Sequence, residues 1–305
     1  GVTMLYNGKP YFDEKGEVLH AHGGWILPYD GMYYWYGEDR RENFYVSCYR
    51  SRDLHTWTRC EPILTTDTPC VHTDGHFDLR LRTDDGGKVN IERPKMLYNP
   101  KTKRFVLWAH WENGRDYHDA RCCVASSEFP DHGFVYHGSM NPYGHMSRDC
   151  TVFTDLSGDT YFISAARDNA DLHIYRLTED FLNVDEHVRT LFQHEFREAP
   201  ALFMHDGKYY MLSSYCTGWA PNQAKWSVSD SVTGRWSPLR NIADETTYRS
   251  QSAFVLTVNG VSYYVGDRWG GGGDAYFTST YVVLPIRFDE NGCPTMDWAD
   301  TCPLF

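Results

Sequence analysis

GWILPYDGMYYWYGE, residues 24–38, is a short apolar run, an Asp-Gly pair and a returning run dominated by aromatics. Asp-Gly between two strand-forming runs is a strong short-range signal for a β-hairpin. The same unit recurs as RPKMLYNPKTKRFVLWAHW (93–111), CTVFTDLSGDTYFISAARD (150–168), PALFMHDGKYYMLSSYCTGW (200–219) and SAFVLTVNGVSYYVGDRW (252–269). Further alternating segments, FYVSCYRSRDLHTWTR, ARCCVASSEFPDHGFVYHG and QAKWSVSDSVTGRWSPL, follow the hairpins and supply outer strands. Five such units with almost no helical periodicity predict an all-β fold, a five-bladed β-propeller with four-stranded antiparallel blades around an axial pocket. One domain over residues 1–305 is expected, because closed all-β folds reach this size as single units. A β-sandwich would not explain repeats that start near residues 22, 92, 149, 198 and 251.

The composition narrows the partners. A net charge of −12 argues against nucleic acid and anionic membrane, which call for a basic face. Aromatic residues make up 16% of the chain, more than a core requires and suited to stacking on sugar rings. No apolar run reaches membrane-spanning length, so no membrane insertion is expected. Nine cysteines without a CxxC pair or zinc-type spacing indicate neither a full disulfide framework nor a structural metal site, and no metal ligands are assigned. The first residue is Gly1, which leaves room for a removed targeting segment. A secreted or periplasmic location and a monomer are expected, with the cytoplasm left open.

Propeller geometry says where chemistry should sit. The start of each first strand and the end of each second strand open on one face of the axis. First-strand starts are His22, Glu92, Asp149, Glu198 and Gln251; second-strand ends are Glu38, Trp111, Asn169, Thr217 with Trp219, and Asp267 with Arg268 and Trp269. Converging carboxylates meet the needs of glycoside hydrolysis, where one acid protonates the leaving oxygen and a second group activates water. Glu198, between Arg197 and the apolar 199–201, is the choice for the acid, since apolar surroundings and nearby carboxylates raise a Glu pKa; an ion pair with Arg197 is the structural alternative. Asp149 is read as the group that orients and tunes the acid, against a turn-capping role. Glu92 divides between a sugar hydroxyl and a salt bridge between blades, and His22 between an axial ligand and a structural role. Trp219 and Trp269 are candidate stacking platforms. The segment from Thr65 to Asn90 is expected to roof the pocket and set substrate choice. No Gly-x-Ser-x-Gly elbow or nucleophile-type Cys is present, which disfavours acyl transfer.

In their order and spacing, YYWYGED, ERPKMLYN, GHMSRD, FREAPALF, SYCTGWAPN, SQSAFVL and GDRW resemble glycoside hydrolase family 43, and within it the exo-β-1,3-galactanase group. The resemblance implies a five-bladed inverting hydrolase with Glu198 as general acid and Asp149 as its tuning partner. The first-blade Asp that serves the family as base is replaced by HAHGGW, an absence shared with the galactanase group. That group implies Gln251 as base or water-positioning residue, while Glu92 stands both as sugar contact and as competing base. It also extends the sugar site to Glu38, Tyr117, Asn169 and Thr217. The resulting expectation is release of terminal galactose from β-1,3-galactan, the backbone of arabinogalactan-type glycans, with an oligo- or polysaccharide as the partner. Family 43 arabinofuranosidase, galactofuranosidase or xylosidase activity is the alternative, and a catalytically idle glycan-binding propeller the alternative of another class. No cofactor is required by this chemistry; a calcium or sodium ion on the axis near His22 is the one ion left open.

Overall fold

A computed structural model describes residues 5–76 and 78–305. The fold is a five-bladed β-propeller. The first blade holds β1 (His22–Tyr29), β2 (Met32–Glu38), β3 (Phe44–Ser51) and β4 (Thr58–Arg59), with β5 (Leu64–Thr65) also on β3. The second runs β6 (Asn90–Asn99), β7 (Arg104–Glu112), β8 (Arg121–Ser127), β9 (Val135–Met140). The third is β10 (Cys150–Thr154), β11 (Thr160–Ala166), β12 (Asp171–Leu177), β13 (Val184–Leu191), and the fourth β14 (Arg197–His205), β15 (Lys208–Tyr215), β16 (Lys225–Ser229), β17 (Arg240–Asn241). The fifth is three-stranded, β18 (Gln251–Val258), β19 (Val261–Arg268), β20 (Thr280–Pro285), followed by the small pair β21 (Arg287–Phe288) and β22 (Pro294–Thr295).

Local sequence explains the hairpins. Asp30-Gly31, Asp206-Gly207 and Asn259-Gly260 each place two consecutive residues at positive φ, with Tyr29 facing Met32, His205 facing Lys208 and Val258 facing Val261 across the turn. Two-residue turns of this mirror-image type match the twist of the flanking strands, and Gly reaches the second position without a Cβ penalty.

Packing follows from the period of two along each strand. Tyr34 and Tyr36 of β2 join the apolar cluster shared with the second blade, while Trp35 between them joins the cluster shared with the fifth. In β7, Phe105, Leu107, Ala109 and Trp111 face the first blade, and Val106 and Trp108 face the third. Both faces of an inner sheet are therefore buried, which is why these strands are continuously apolar rather than alternating. Five clusters, one per blade interface, make up the core. Trp35, Trp57, Trp108 and Trp111 are fully buried, each stabilising the fold by roughly 1.5–3 kcal/mol or more. Much of the aromatic content thus packs blades together rather than binding ligand.

The ring closes through both ends of the described chain. Asn7 donates from Nδ2 to the Val283 carbonyl (2.9 Å) and accepts from the Val283 N–H at Oδ1 (2.7 Å), so one side chain copies a strand's hydrogen-bond pair on the free edge of β20. Gly8 N–H adds a bond to Tyr281 O at 2.8 Å, and Phe305 is buried beside Trp35.

The segment predicted to roof the pocket lies elsewhere. Cys70 bridges to Tyr136 and Asp78 to Ser139, and Asn183 Nδ2 donates to Asp74 O at 2.7 Å. Residues 66–76 and 78–82 therefore run along the outer edge of the second blade, covering β9, whose unpaired backbone groups would otherwise face solvent. Among the described residues of 65–89, none lines the axial pocket.

Candidate active site

Three inner strands carry a register shift immediately after the axial residue, His22/Trp25, Glu92/Lys95 and Glu198/Ala201, and a fourth carries one a residue later, Ser252/Phe254. In three of them the residue after the axial one is left-handed, Gly23 (φ 53°), Arg93 (φ 56°) and Ala199 (φ 52°). A bulge inserts an extra residue and re-aims side chains. Here it turns both Glu92 and Arg93 toward the axis, where regular alternation would send them to opposite faces. Non-glycine residues in this region carry strain of about 1–3 kcal/mol, held in place by the surrounding structure.

The axial cavity, about 330 Å³, is lined by Glu38, Glu92, Tyr117, Asp149, Asn169, Glu198, Trp219, Gln251 and Trp269 from the predicted set, joined by Arg40, Arg93, His110, Arg148 and Gly218. Glu198 stands opposite Gln251, whose Nε2 is 3.4 Å from Glu198 Oε1. Burial, and then the negative charge of Asp149, push the Glu198 carboxyl up to about 7 against the opposing pull of Arg93. The Ala199 N–H donates to Asp149 Oδ2 at 3.0 Å, which fixes Asp149 beside the backbone of the acid it tunes.

Arg93 is the hub. It is buried and donates to Gln251 Oε1 (2.7 Å) and Ser252 O (2.6 Å), lies 3.7 Å from Asp149 Oδ2, and sends its backbone N–H to Glu38 Oε2 (3.1 Å). Gln251 is engaged at both ends of its amide. Oε1 accepts from Arg93 and from Trp269 Nε1 (2.8 Å), and Nε2 donates to Ser214 Oγ (2.9 Å) and weakly to Glu198.

Across the cavity Glu92 accepts from Tyr117 Oη (2.5 Å), Asn90 Nδ2 (3.0 Å) and Arg40 (3.3 Å), and lies 3.5 Å from His110 Nδ1. Burial alone would raise its pKa, but His110, Tyr117 and Arg40 hold it down at about 2. His110 is clasped on its other side by Glu112 (2.6 Å). Although burial opposes its charge, the two carboxylates lift it to about 9, so Glu92 faces an imidazolium. Glu38 accepts from Tyr276 Oη at 3.0 Å and is pushed upward by burial and by Glu92. Asn169 Oδ1 is shielded from solvent and has no protein donor, an acceptor position for an incoming hydroxyl. Trp269 stacks on Tyr276 (5.8 Å, 27°), and Trp219, 44% exposed, stands edge-on to Trp269 at 5.5 Å.

Five expected positions fall outside the cavity: Arg268, Thr217, Trp111, His22 and Asp267. Arg268 donates to Tyr248 O (3.0 Å) and lies over Trp298, because it sits on the face of β19 opposite Asp267. Thr217 donates to Ala220 O (2.5 Å) and accepts from Asn222 (2.7 Å), bracing the loop that carries Trp219 without lining the pocket. Trp111 is core, with its Nε1 on Arg80 O. His22 is structural: it is fully buried, with one ring nitrogen 3.2 Å from His20 and the other 3.1 Å from Asp267. The nearby carbonyls of Gly23 and Gly24 accept from the buried Lys95 Nζ (2.8 and 3.0 Å). Arg93, Arg40, His110 and Tyr276 were absent from the candidate set. Only Arg93, adjacent to a chosen Glu, carried a sequence signal.

The family model described as glycosyl hydrolases family 43 matches residues 94–294. No curated protein sequence matches at a significant level. Among solved structures, the chain is similar to 1,3Gal43A, an exo-β-1,3-galactanase from Clostridium thermocellum, at 42% identity and TM-score 0.87, over 97% of this chain and 66% of that one. It is similar to an exo-β-1,3-galactanase from Phanerochaete chrysosporium, crystallised with β-1,3-galactotriose, at 31% identity and TM-score 0.86, over 99% and 68%. It also matches the β-1,3-galactosidase BT3683, crystallised with galactodeoxynojirimycin, at 31% identity and TM-score 0.85, over 98% and 99%. The chain thus spans about two thirds of the first two relatives and nearly all of the third. With a carboxyl acid poised near neutrality in an axial cavity and these matches, the chain is a glycoside hydrolase and belongs to family 43.

Proposed function

We propose that the chain is an inverting exo-hydrolase that removes terminal galactose from β-1,3-linked galactan. The observation that carries this reading is Glu198, a carboxylic acid raised to about 7 by burial and by Asp149, set beside Gln251 in the small axial cavity. The galactanase relatives supply the sugar. A protonated Glu198 donates to the glycosidic oxygen as that bond breaks. Glu92, held ionised at about 2, is a weak base but a strong acceptor, which suits a hydrogen bond to a sugar hydroxyl. Asn169 Oδ1 offers a second such acceptor, and Trp219 and Trp269 offer flat faces. Gln251 then serves to position water and the acid, and the proton that water sheds as its oxygen bonds to the anomeric carbon passes to solvent. The reading requires no cofactor.

The test is incubation with β-1,3-galactobiose and, separately, a nitrophenyl α-L-arabinofuranoside, following the products by NMR. Galactose appearing first as the α-anomer is expected. Arabinose release alone would replace the substrate, and initial β-galactose would overturn inversion. Binding without turnover would favour the idle glycan-binding propeller, for which the missing Asp at the start of β1 speaks.

Tyr117→Phe removes the 2.5 Å bond to Glu92 while keeping the ring. Hydrogen bonds to charged groups contribute about 1.5–3 kcal/mol. Tyr117 is 45% exposed, so the low end applies. KM should rise about tenfold with kcat little changed; a loss confined to kcat would show that Tyr117 and Glu92 act in the bond-breaking step instead.

A further inference from the structure

On the third blade, away from the axis, His173 of β12, His187 of β13 and His145 of the segment joining β9 to β10 come together. One ring nitrogen from each lies within 4.8 Å of the others. The ring centroids are 4.3 Å (His173–His187), 4.6 Å (His145–His173) and 5.1 Å (His145–His187) apart. None of the three belongs to the axial cavity, and none forms an ion pair among the described residues. We infer that His145, His173 and His187 form a binding site for one divalent transition-metal ion, zinc foremost, that staples the outer strands of the third blade to the segment 141–149.

The ligand set has the right chemistry. Neutral imidazole suits zinc, copper and nickel, whereas calcium and magnesium select oxygen ligands. Three histidines with a fourth position open to water form an established zinc arrangement. His173 is buried and the other two are partly exposed, which gives an ion a path of entry.

Tyr175 supplies the orientation. Its Oη lies 2.8 Å from His173 Nδ1 and 3.0 Å from His145 Nδ1. A phenol oxygen has two lone pairs and can accept both Nδ1–H bonds at once, which turns both Nε2 lone pairs outward. A metal-bound histidine ordinarily needs just such an acceptor on its second nitrogen. Zn–N bonds of about 2.0–2.1 Å set the nitrogens roughly 3.3 Å apart in a tetrahedral site. Small ring rotations of the two part-exposed histidines close the difference. Because Asp149 ends the segment that His145 anchors, metal here would also steady the approach to the axial cavity.

The test uses the full chain after chelator treatment and dialysis. Zinc is titrated by calorimetry, and cobalt(II) is added as a spectroscopic probe of coordination. Uptake of one zinc per chain is expected, with a higher melting temperature and a cobalt spectrum of tetrahedral intensity. His145→Gln and His187→Gln, both at partly exposed positions, should weaken zinc at least as much as the roughly 10- to 100-fold typical for loss of a supporting partner. Tyr175→Phe, which keeps the ring, should fall within that range. Glu92→Gln should leave zinc affinity intact, since Glu92, His110 and Asp149 form a separate cluster in the axial cavity. Zinc affinity unchanged in both histidine variants, zinc binding abolished by Glu92→Gln, or no saturable uptake in the micromolar range would each overturn the site.

Discussion

Glu198→Gln lowers kcat on β-1,3-galactobiose by about a thousandfold, within the range removed with a general acid, while galactobiose still binds with nearly its original affinity. The loss should shrink on a nitrophenyl β-galactoside, whose leaving group departs with little protonation; an equal loss on both substrates would take Glu198 out of the acid role. Two pH signatures accompany it. In the unaltered protein kcat/KM should fall above about pH 7, where Glu198 loses its proton, and that limb should vanish in the variant. Stability moves the opposite way. An unfolded Glu ionises near its ordinary 4.5 while the folded one keeps its proton to about 7, so the folded state binds more protons between those values and stability falls as pH rises through that window. Above pH 7 the deficit is complete, on the order of 3 kcal/mol. Glu198→Gln carries no such deficit and should melt higher than the unaltered protein at pH 8, with the difference fading towards pH 4.5. A constant difference across that range would show that the carboxyl is not held protonated by its surroundings. An acid that costs the fold stability at working pH is what a site selected for activity rather than for stability looks like.

The parts of the fold legible in the sequence were those set by local chemistry. Asp30-Gly31, Asp206-Gly207 and Asn259-Gly260 announced hairpins because the turn demands positive φ twice in succession. Repeat position then brought Glu92, Asp149, Glu198 and Gln251 to one cavity. What could not be read was parity. His110 rather than Trp111 faces the axis, and Arg268 turns away from it while Trp269 turns in, because a shift of one residue moves a side chain to the opposite face. Arg93 escaped for a related reason: its left-handed backbone breaks the alternation that a regular strand predicts, and only its place beside Glu92 in ERPK marks it. The segment 65–90 misled through composition. Its Asp, Thr and Gly suggested a pocket roof, yet non-local pairing with β9 carried it to the rim.

Gln251→Glu separates two ways in which a site without a carboxylate at the start of β1 could activate water. For Gln251 to act as a base, the amide would have to pass into its imidic form, with the proton on oxygen and the nitrogen free to accept. Yet Oε1 is held by Arg93 at 2.7 Å and by the Trp269 indole N–H at 2.8 Å, and both are donors that cannot accept. An O–H at that position would be set against two N–H groups and would forfeit both bonds, each worth about 0.5–1.5 kcal/mol, and more for the guanidinium. The surroundings therefore hold Gln251 as an amide, with its N–H groups directed at Ser214 and Glu198. A carboxylate at 251 would keep Arg93 and Trp269 as partners but would lose both N–H donors and add a negative charge close to Glu198, acting as Asp149 already does. The expected result is a Glu198 titration displaced above 7 and a kcat/KM lower by about a hundredfold, the loss that follows when a positioned group moves by an ångström. If the imidic form were the working base, a carboxylate would be the stronger one, and turnover would hold or rise. The pH profile distinguishes the outcomes even if the variant is less stable: an alkaline limb moved upward with reduced turnover marks a positioning amide, whereas a new acidic limb with sustained turnover marks a base.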